Sequence, residues 1–161
     1  MRISLIAFAG LAGVTACGGP PTVAPDDLAV LVGDDWEGTL TYLDYSDNAT
    51  EVTLPAELAV AQNGATFELY FSYPDEPQAN GRAEVTISED GRQLNTETLT
   101  RSTREDETLH LVAEAACGDN GQPATCEYEY SIAPTAFSIT NRVTPESGGE
   151  TIVRNTYSFT R

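Results

Sequence analysis

Apolar and polar residues alternate along most of the chain with a period of two, which is the pattern of strands that bury one face. The run 66–73 shows it most cleanly, because Phe67, Leu69 and Phe71 alternate with Thr, Glu, Tyr and Ser side chains. Each such run is interpreted as one half-buried strand. On this basis we predict strands at 36–45, 52–60, 66–73, 81–88, 92–100, 107–116, 126–132, 136–143 and 151–160.

Short stretches of turn residues separate these strands. Asn63 with Gly64 and Asp90 with Gly91 are typical hairpin turns, and 145–149 contains Pro, Ser and Gly. Strands joined by hairpin-length connections, with almost no helix, predict an all-β fold. We expect a single antiparallel up-and-down barrel of about eight to ten strands, closed or nearly closed, because closure hides the sheet edges.

The first residues have the features of a secretory signal peptide. Arg2 precedes an apolar run from Ile3 to Ala9, and small residues then lead to Cys17. The alternative is an uncleaved membrane-spanning helix over 3–16, but a span needs about 17 to 25 apolar residues. Cleavage after residue 16 is therefore predicted.

The four residues from Val14 to Cys17 resemble a bacterial lipobox. The resemblance implies that Cys17 is diacylated and becomes the first residue, so that lipid on Cys17 holds the protein on a membrane. Gly18 stands where an Asp would retain such a protein in the inner membrane. The implied location is the bacterial cell envelope, at the outer membrane facing the periplasm.

These features divide the chain into three parts. Residues 1–16 are the predicted lipoprotein signal peptide, and 17–26 are the lipidated cysteine and a flexible tether rich in Gly and Pro. Residues 27–161 are the predicted β-barrel domain. It begins with a short helix through Leu31 that Asp26 and Asp27 can cap.

Charge excludes one large class of partners. The chain has 25 Asp and Glu against 8 Lys and Arg, for a formal net charge of -17. Such a field repels phosphate backbones, so no nucleic acid partner is expected. A cationic protein partner is compatible with the charge, and a solvated acidic surface without any partner is the plainer interpretation.

With Cys17 assigned to lipid, Cys117 and Cys126 are left as a pair. A disulfide between them is predicted, because an oxidising compartment favours it and a turn-rich loop separates them. The bridge would stabilise the hairpin by about 2 to 3 kcal/mol. A redox pair is the alternative, although its usual spacing is two residues.

The residues that carry chemistry do not combine into a catalytic or metal site. His110 is the single histidine, no Gly-x-Ser-x-Gly motif occurs and the chain has no lysine. One histidine and a paired set of cysteines do not favour zinc. Glu127 and Glu129 share a strand face that Arg142 and Arg154 can reach, which predicts surface ion pairs. We expect no enzyme activity, no cofactor and no metal.

The stretch 28–45 resembles the start of calycins, the superfamily of lipocalins and fatty-acid-binding proteins. Their first strand opens with Gly-x-Trp after a short helix; here Gly33 and Trp36 are one residue further apart, and Arg161 follows the last strand. The resemblance implies a small barrel, often a carrier of small apolar molecules, with Trp36 at its floor and Arg161 packed over it. Other stretches resemble uncharacterised small bacterial proteins.

The last hairpin predicts polar groups inside the barrel. If Val143 faces inward, so does Asn141, and if Val153 and Tyr157 face inward, so does Asn155, which sets the two amides roughly opposite each other. They could pair internally or meet a ligand.

We therefore expect a non-enzymatic, lipid-anchored envelope protein that binds a small apolar or amphipathic ligand, and a filled core would argue against this. An acidic module that binds a cationic protein is the alternative. The candidate ligand residues are Trp36, Tyr42, Phe67, Phe71, Tyr130, Asn141 and Asn155.

Overall fold

The computed structural model describes residues 19–161. The predicted signal peptide and the lipidation site at Cys17 lie outside the described residues. Helix α1 (Pro25–Leu28) is followed by a 3-10 turn (Ala29–Leu31), and a second 3-10 turn (Pro77–Ala79) lies between the third and fourth strands. The strands are β1 (Gly33–Leu43), β2 (Glu51–Asn63), β3 (Thr66–Ser72), β4 (Gly81–Thr86), β5 (Gln93–Leu94), β6 (Glu97–Glu105), β7 (Thr108–Asp119), β8 (Gln122–Ile132), β9 (Ala136–Pro145) and β10 (Ile152–Thr160).

The ten strands found in residues 19–161 form one antiparallel meander in the order β4-β3-β2-β1-β10-β9-β8-β7-β6-β5. Chain neighbours pair along the whole sheet, and β1 pairs with β10. The predicted all-β up-and-down barrel is confirmed. The predicted strand 92–100 is divided by a turn at Asn95 and Thr96, which separates β5 from β6.

Within the described part of the chain, no helix is long and apolar enough to cross a membrane.

The barrel is nearly closed, and Asn95 makes the contact where β4 meets β5. A single bridge joins Ile87 to Leu94. Beside it, the Asn95 N–H donates to Thr86 O at 2.7 Å, while Asn95 Oδ1 accepts from the Thr86 N–H at 2.8 Å. Asn95 Nδ2 donates to Glu84 O at 2.9 Å. One amide side chain therefore satisfies β4 backbone groups that a longer β5 would otherwise bond.

The end of the barrel beneath α1 is filled. Trp36 is 1% exposed, and its Nε1–H donates to Leu31 O at 2.8 Å. The void left among the apolar side chains here is about 10 Å³, which is at most the room of one water molecule. Between Gly33 and Trp36 the register with β2 shifts, so a bulge accommodates the extra residue in the Gly-x-Trp-like spacing.

A disulfide joins Cys117 to Cys126 near the tip of the β7–β8 hairpin, as predicted. A second, smaller apolar cluster surrounds it, formed by Ala124, Cys126 and Val143 with partly buried neighbours. The disulfide and this cluster stabilise the hairpin where it extends beyond the main core. The hairpin tip, which includes Asp119, is thereby held against the rest of the barrel.

One of the two predicted surface ion pairs is present and the other is corrected. Arg142 Nε lies 3.2 Å from Glu129 and 4.0 Å from Glu127, on the outer face as expected. Arg154 does not join them. The register between β10 and β9 shifts from Val153 to Asn155, and the bulge leaves Arg154 buried instead of exposed on that face.

Candidate functional site

An open cavity of about 300 Å³ lies at the end of the barrel opposite α1. It is enclosed by the last residues of β1, the first residues of β2 and β10, and the loop that contains Pro77–Ala79. Aromatic hydroxyls and apolar side chains share its wall with one carboxylate, one amide and one guanidinium. The lining residues are Leu40, Tyr42, Tyr45, Leu54, Tyr73, Glu76, Ala79, Arg154, Asn155 and Tyr157.

Strand register explains why several of these side chains share one wall. Leu40 pairs with Tyr157, and Tyr42 pairs with Asn155, so alternate positions of β1 and β10 point to the same side. Below them, the Tyr157 ring packs on Phe71 with centroids 4.8 Å apart. The hydroxyls of Tyr73 and Tyr157 are hydrogen-bonded at 2.9 Å. The cavity floor is therefore a packed aromatic layer.

Arg154 is buried in the cavity wall and is 2% exposed. One terminal nitrogen donates to the carboxylate of Asp119, and the other donates to Asn48 Oδ1 at 2.9 Å. The Tyr45 ring covers the guanidinium at 4.5 Å. Arg154 Nε has no hydrogen-bond partner within residues 19–161. A buried guanidinium N–H without an acceptor is costly, so either an ordered water molecule or an atom of a ligand is expected to accept from it.

Two further buried polar atoms lack partners deeper in the barrel. Asn141 lies opposite Asn155 on one side and Tyr128 on the other, and its Oδ1 is unpartnered among the described residues. Glu97 Oε2 is also buried without a partner there. Both atoms are hydrogen-bond acceptors. Two acceptors in the interior are therefore left without a donor among the described residues.

Three partly or fully buried tyrosines stay protonated to unusually high pH, and Tyr157 is the one of them that lines the cavity. Burial raises the pKa of Tyr157, and the hydrogen bond with Tyr73 raises it further. Burial also raises the pKa of Tyr130 and of Tyr128, with a contribution from the negative charge of Glu97. These hydroxyls are thus neutral at physiological pH and can act as hydrogen-bond donors.

Comparisons with known proteins give no family for this chain. No family model matches it, and no curated protein matches it. Solved structures similar to it include two crystal structures of the fluorescent protein UnaG, each of a mutant with one substituted asparagine. Their TM-scores are 0.40 and 0.39, each at 14% sequence identity. The matches cover 83% and 81% of this chain, and 97% and 94% of the UnaG chains.

The structure brings some of the predicted ligand residues to the cavity. Tyr42 and Asn155 line it, and Asn141 lies beside Asn155. Tyr130 lines the small apolar void below. The other three are core residues away from the cavity wall: Trp36 and Phe67 are each 1% exposed, and Phe71 lies beneath Tyr157.

Sequence reasoning named two of the ten lining residues, Tyr42 and Asn155, and missed the other eight, including Tyr45, Glu76 and Arg154. Glu76 belongs to a connection between strands, whose path no alternation pattern describes. Tyr45 was expected in the first strand, but that strand ends at Leu43 and Tyr45 reaches the cavity from the loop after it. Strict alternation places Arg154 on the outer face, but the bulge in β10 interrupts that alternation. The sequence gives no clear signal for this burial, because an arginine between two inward-facing positions is expected on the outer face.

His110 lines a second pocket, of about 160 Å³, together with Ser131 and Glu129. No group of three or more His, Cys, Asp or Glu side chains within 19–161 could hold a metal ion. His110 lies on β7 opposite Ser131 and Thr103, away from the residues that line the 300 Å³ cavity. The site is thus an aromatic, hydrogen-bonding cavity.

Proposed function

We propose that this protein is a non-enzymatic, lipid-anchored envelope protein that binds a small amphipathic ligand in the 300 Å³ cavity. The observation that carries the proposal is Arg154, a cavity-lining side chain that is 2% exposed and whose Nε–H lacks an acceptor among residues 19–161. Ligand cavities combine apolar and aromatic walls with a few such polar groups. This wall has the same composition.

The dimensions of the cavity limit the ligand. Pockets for drug-sized molecules measure about 300 to 1,000 Å³, so this one is at the small end. The opposite end of the barrel has only about 10 Å³ of free space, so the core is filled there and a long chain cannot extend through it. This filled core argues against a carrier that encloses its ligand in the barrel interior, and the proposal is confined to the open end. The proposed ligand is therefore the size of one or two rings. Its ring would pack on the cavity tyrosines.

The envelope location is part of the proposal and rests on the sequence before the described residues. The lipobox-like run to Cys17 would attach the barrel to the outer membrane. The tether would be only a few residues long, because Val23 is buried in the core and its N–H donates to Gly91 O at 2.9 Å. The disulfide between Cys117 and Cys126 agrees with an oxidising compartment such as the periplasm.

Native mass spectrometry of the full chain, extracted in detergent from a bacterial envelope, tests both the ligand binding and the lipid anchor. A reproducible small-molecule adduct that disappears in denaturing spectra supports ligand binding, and a bare protein contradicts it. The denatured mass reports whether Cys17 is the acylated first residue. An unmodified chain that retains residues 1–16 would overturn the anchor.

A matched pair of variants ties any adduct to the cavity. Ala79 lines the cavity and Ala49 is an exposed residue of another loop. Ala79→Trp should fill the cavity and remove the adduct, whereas Ala49→Trp should keep it. An adduct that survives Ala79→Trp would place the ligand elsewhere.

The acidic surface supports a second candidate, a module that binds a cationic protein. Within residues 19–161, ion pairs with arginine involve eight carboxylates, out of 25 Asp and Glu in the chain. Most acidic side chains thus have no arginine partner. Binding of lysozyme, used as a cationic probe, should weaken steeply with added salt, because salt screens exposed charges. Binding that salt leaves unchanged would reject this candidate.

A further inference from the structure

We infer that the cavity selects an uncharged ligand that carries both a hydrogen-bond acceptor and N–H or O–H donors, such as an aromatic amide or alcohol, and rejects carboxylates. This inference rests on the proposed ligand-binding function and names the chemical class of its ligand. It follows from two kinds of unpartnered atom and from the charges around the cavity.

The acceptor on the ligand is required by Arg154. Its two terminal nitrogens already donate to Asp119 and Asn48, so the guanidinium is held in place. Of its three nitrogens, Nε alone has no acceptor among the described residues. An oxygen of the ligand that reaches this N–H would satisfy a buried donor, which gives more affinity than an exposed contact.

A donor on the ligand is favoured by Asn141, next to the cavity. Asn141 Oδ1 and Glu97 Oε2 are buried acceptors without partners in the described part of the chain. Asn141 is next to the cavity, since it pairs with the cavity-lining Asn155. A ligand with an N–H or O–H group can donate to Asn141, either directly or through a water molecule.

The surrounding charges disfavour an anion. The positive charge of Arg154 is already balanced by Asp119, and Glu76 adds a carboxylate to the cavity wall. Glu97 adds negative charge behind it, which also contributes to the raised pKa of Tyr128. A bound carboxylate would therefore be desolvated among like charges.

A cation is disfavoured for a different reason. The guanidinium of Arg154 forms part of the wall and occupies a face of the Tyr45 ring at 4.5 Å. An ammonium group that enters would find that ring face already covered, so it would gain no cation–π contact there to offset its loss of hydration. A neutral amide or hydroxyl has a smaller desolvation cost.

The test compares three naphthalene probes that share one ring system: naphthaleneacetamide, naphthaleneacetate and naphthylethylamine. Dissociation constants are measured by titration calorimetry with the full chain in detergent. We expect the amide to bind at least about tenfold more tightly than either charged probe. Equal or tighter binding of the carboxylate or the amine would overturn the inference while leaving ligand binding in place. Failure of all three to bind at about 1 mM would contradict the proposed function itself.

Two neighbouring acidic residues provide a matched pair of variants. Glu76→Gln removes the carboxylate from the cavity wall, whereas Asp75→Asn removes the same charge from an exposed residue that does not line the cavity. The ratio of amide to carboxylate affinity should fall about threefold or more in Glu76→Gln and stay unchanged in Asp75→Asn. An equal fall in both variants would assign the discrimination to the overall field of the acidic protein and reject the cavity wall as its source.

Discussion

The guanidinium of Arg161 lies over the Trp36 ring, with its central carbon 4.2 Å from the ring centroid. Its Nη2 donates to Val30 O at 2.7 Å, and its Nε donates to Pro134 O at 2.9 Å. The Arg161 side chain thus joins the 3-10 turn after α1, the floor tryptophan and the β8–β9 connection. The filled end of the barrel is closed by this contact.

Replacement of Arg161 should destabilise the whole barrel. Arg161→Ala removes a cation–π contact worth about 1 kcal/mol. It also removes charged hydrogen bonds to backbone carbonyls, so we expect a total loss of about 2 kcal/mol in the free energy of unfolding. Urea unfolding, followed by tryptophan fluorescence, measures it. Arg161→Lys retains the charge without the planar group and should recover less than half of the loss; full recovery by lysine would contradict the stacking role.

The buried pair of Arg154 and Asp119 should show strong coupling. Arg154 is 2% exposed at its side chain and Asp119 is 16% exposed. Loss of either partner leaves a charge buried alone, and we expect Arg154→Met or Asp119→Leu to cost about 3 kcal/mol each.

The double variant distinguishes pairing from packing. With both charges absent, neither is left uncompensated, so the combined loss should be smaller than the sum of the single losses by at least about 1 kcal/mol. Chemical unfolding of the four proteins gives the coupling energy. Additive losses would show that the two side chains stabilise the barrel independently.

Removal of the disulfide should loosen the hairpin tip next to the cavity. Cys117 and Cys126 are nine positions apart, and the bridge should contribute about 2 to 3 kcal/mol to stability. The double variant Cys117→Ser with Cys126→Ser should lose this amount in urea unfolding. Hydrogen exchange should rise first around Asp119. Reducing agent should lower the stability of the natural chain and leave the double variant unchanged; sensitivity of that variant would contradict the assignment.

Alternation along the chain was sufficient to predict the meander, because burial of one face imposes a period of two on each strand. It could not predict the site. Arg154 is buried through a bulge, and Asn95 completes the sheet with its side chain, so both depend on departures from regular pairing. Tyr45 and Glu76 reach the cavity from loops. Inward amides at Asn141 and Asn155 were predictable since they share the strand period of their apolar neighbours.

Because the pKa of Tyr157 is raised, the stability of the barrel should fall with increasing pH in the alkaline range. Its folded-state pKa is above the ordinary value of 10.0, chiefly through burial and then through the hydrogen bond with Tyr73. The folded state therefore holds its proton more tightly than the unfolded state does, and stability is fully present below pH 10. As the pH rises above that value, the free energy of unfolding should fall. Unfolding at a series of pH values measures this fall, which Tyr157→Phe should reduce. Absorbance of the phenolate form should show that Tyr157→Phe lacks one tyrosine that ionises well above pH 10. If the variant instead lacks a tyrosine that ionises near pH 10, burial does not raise the pKa of Tyr157.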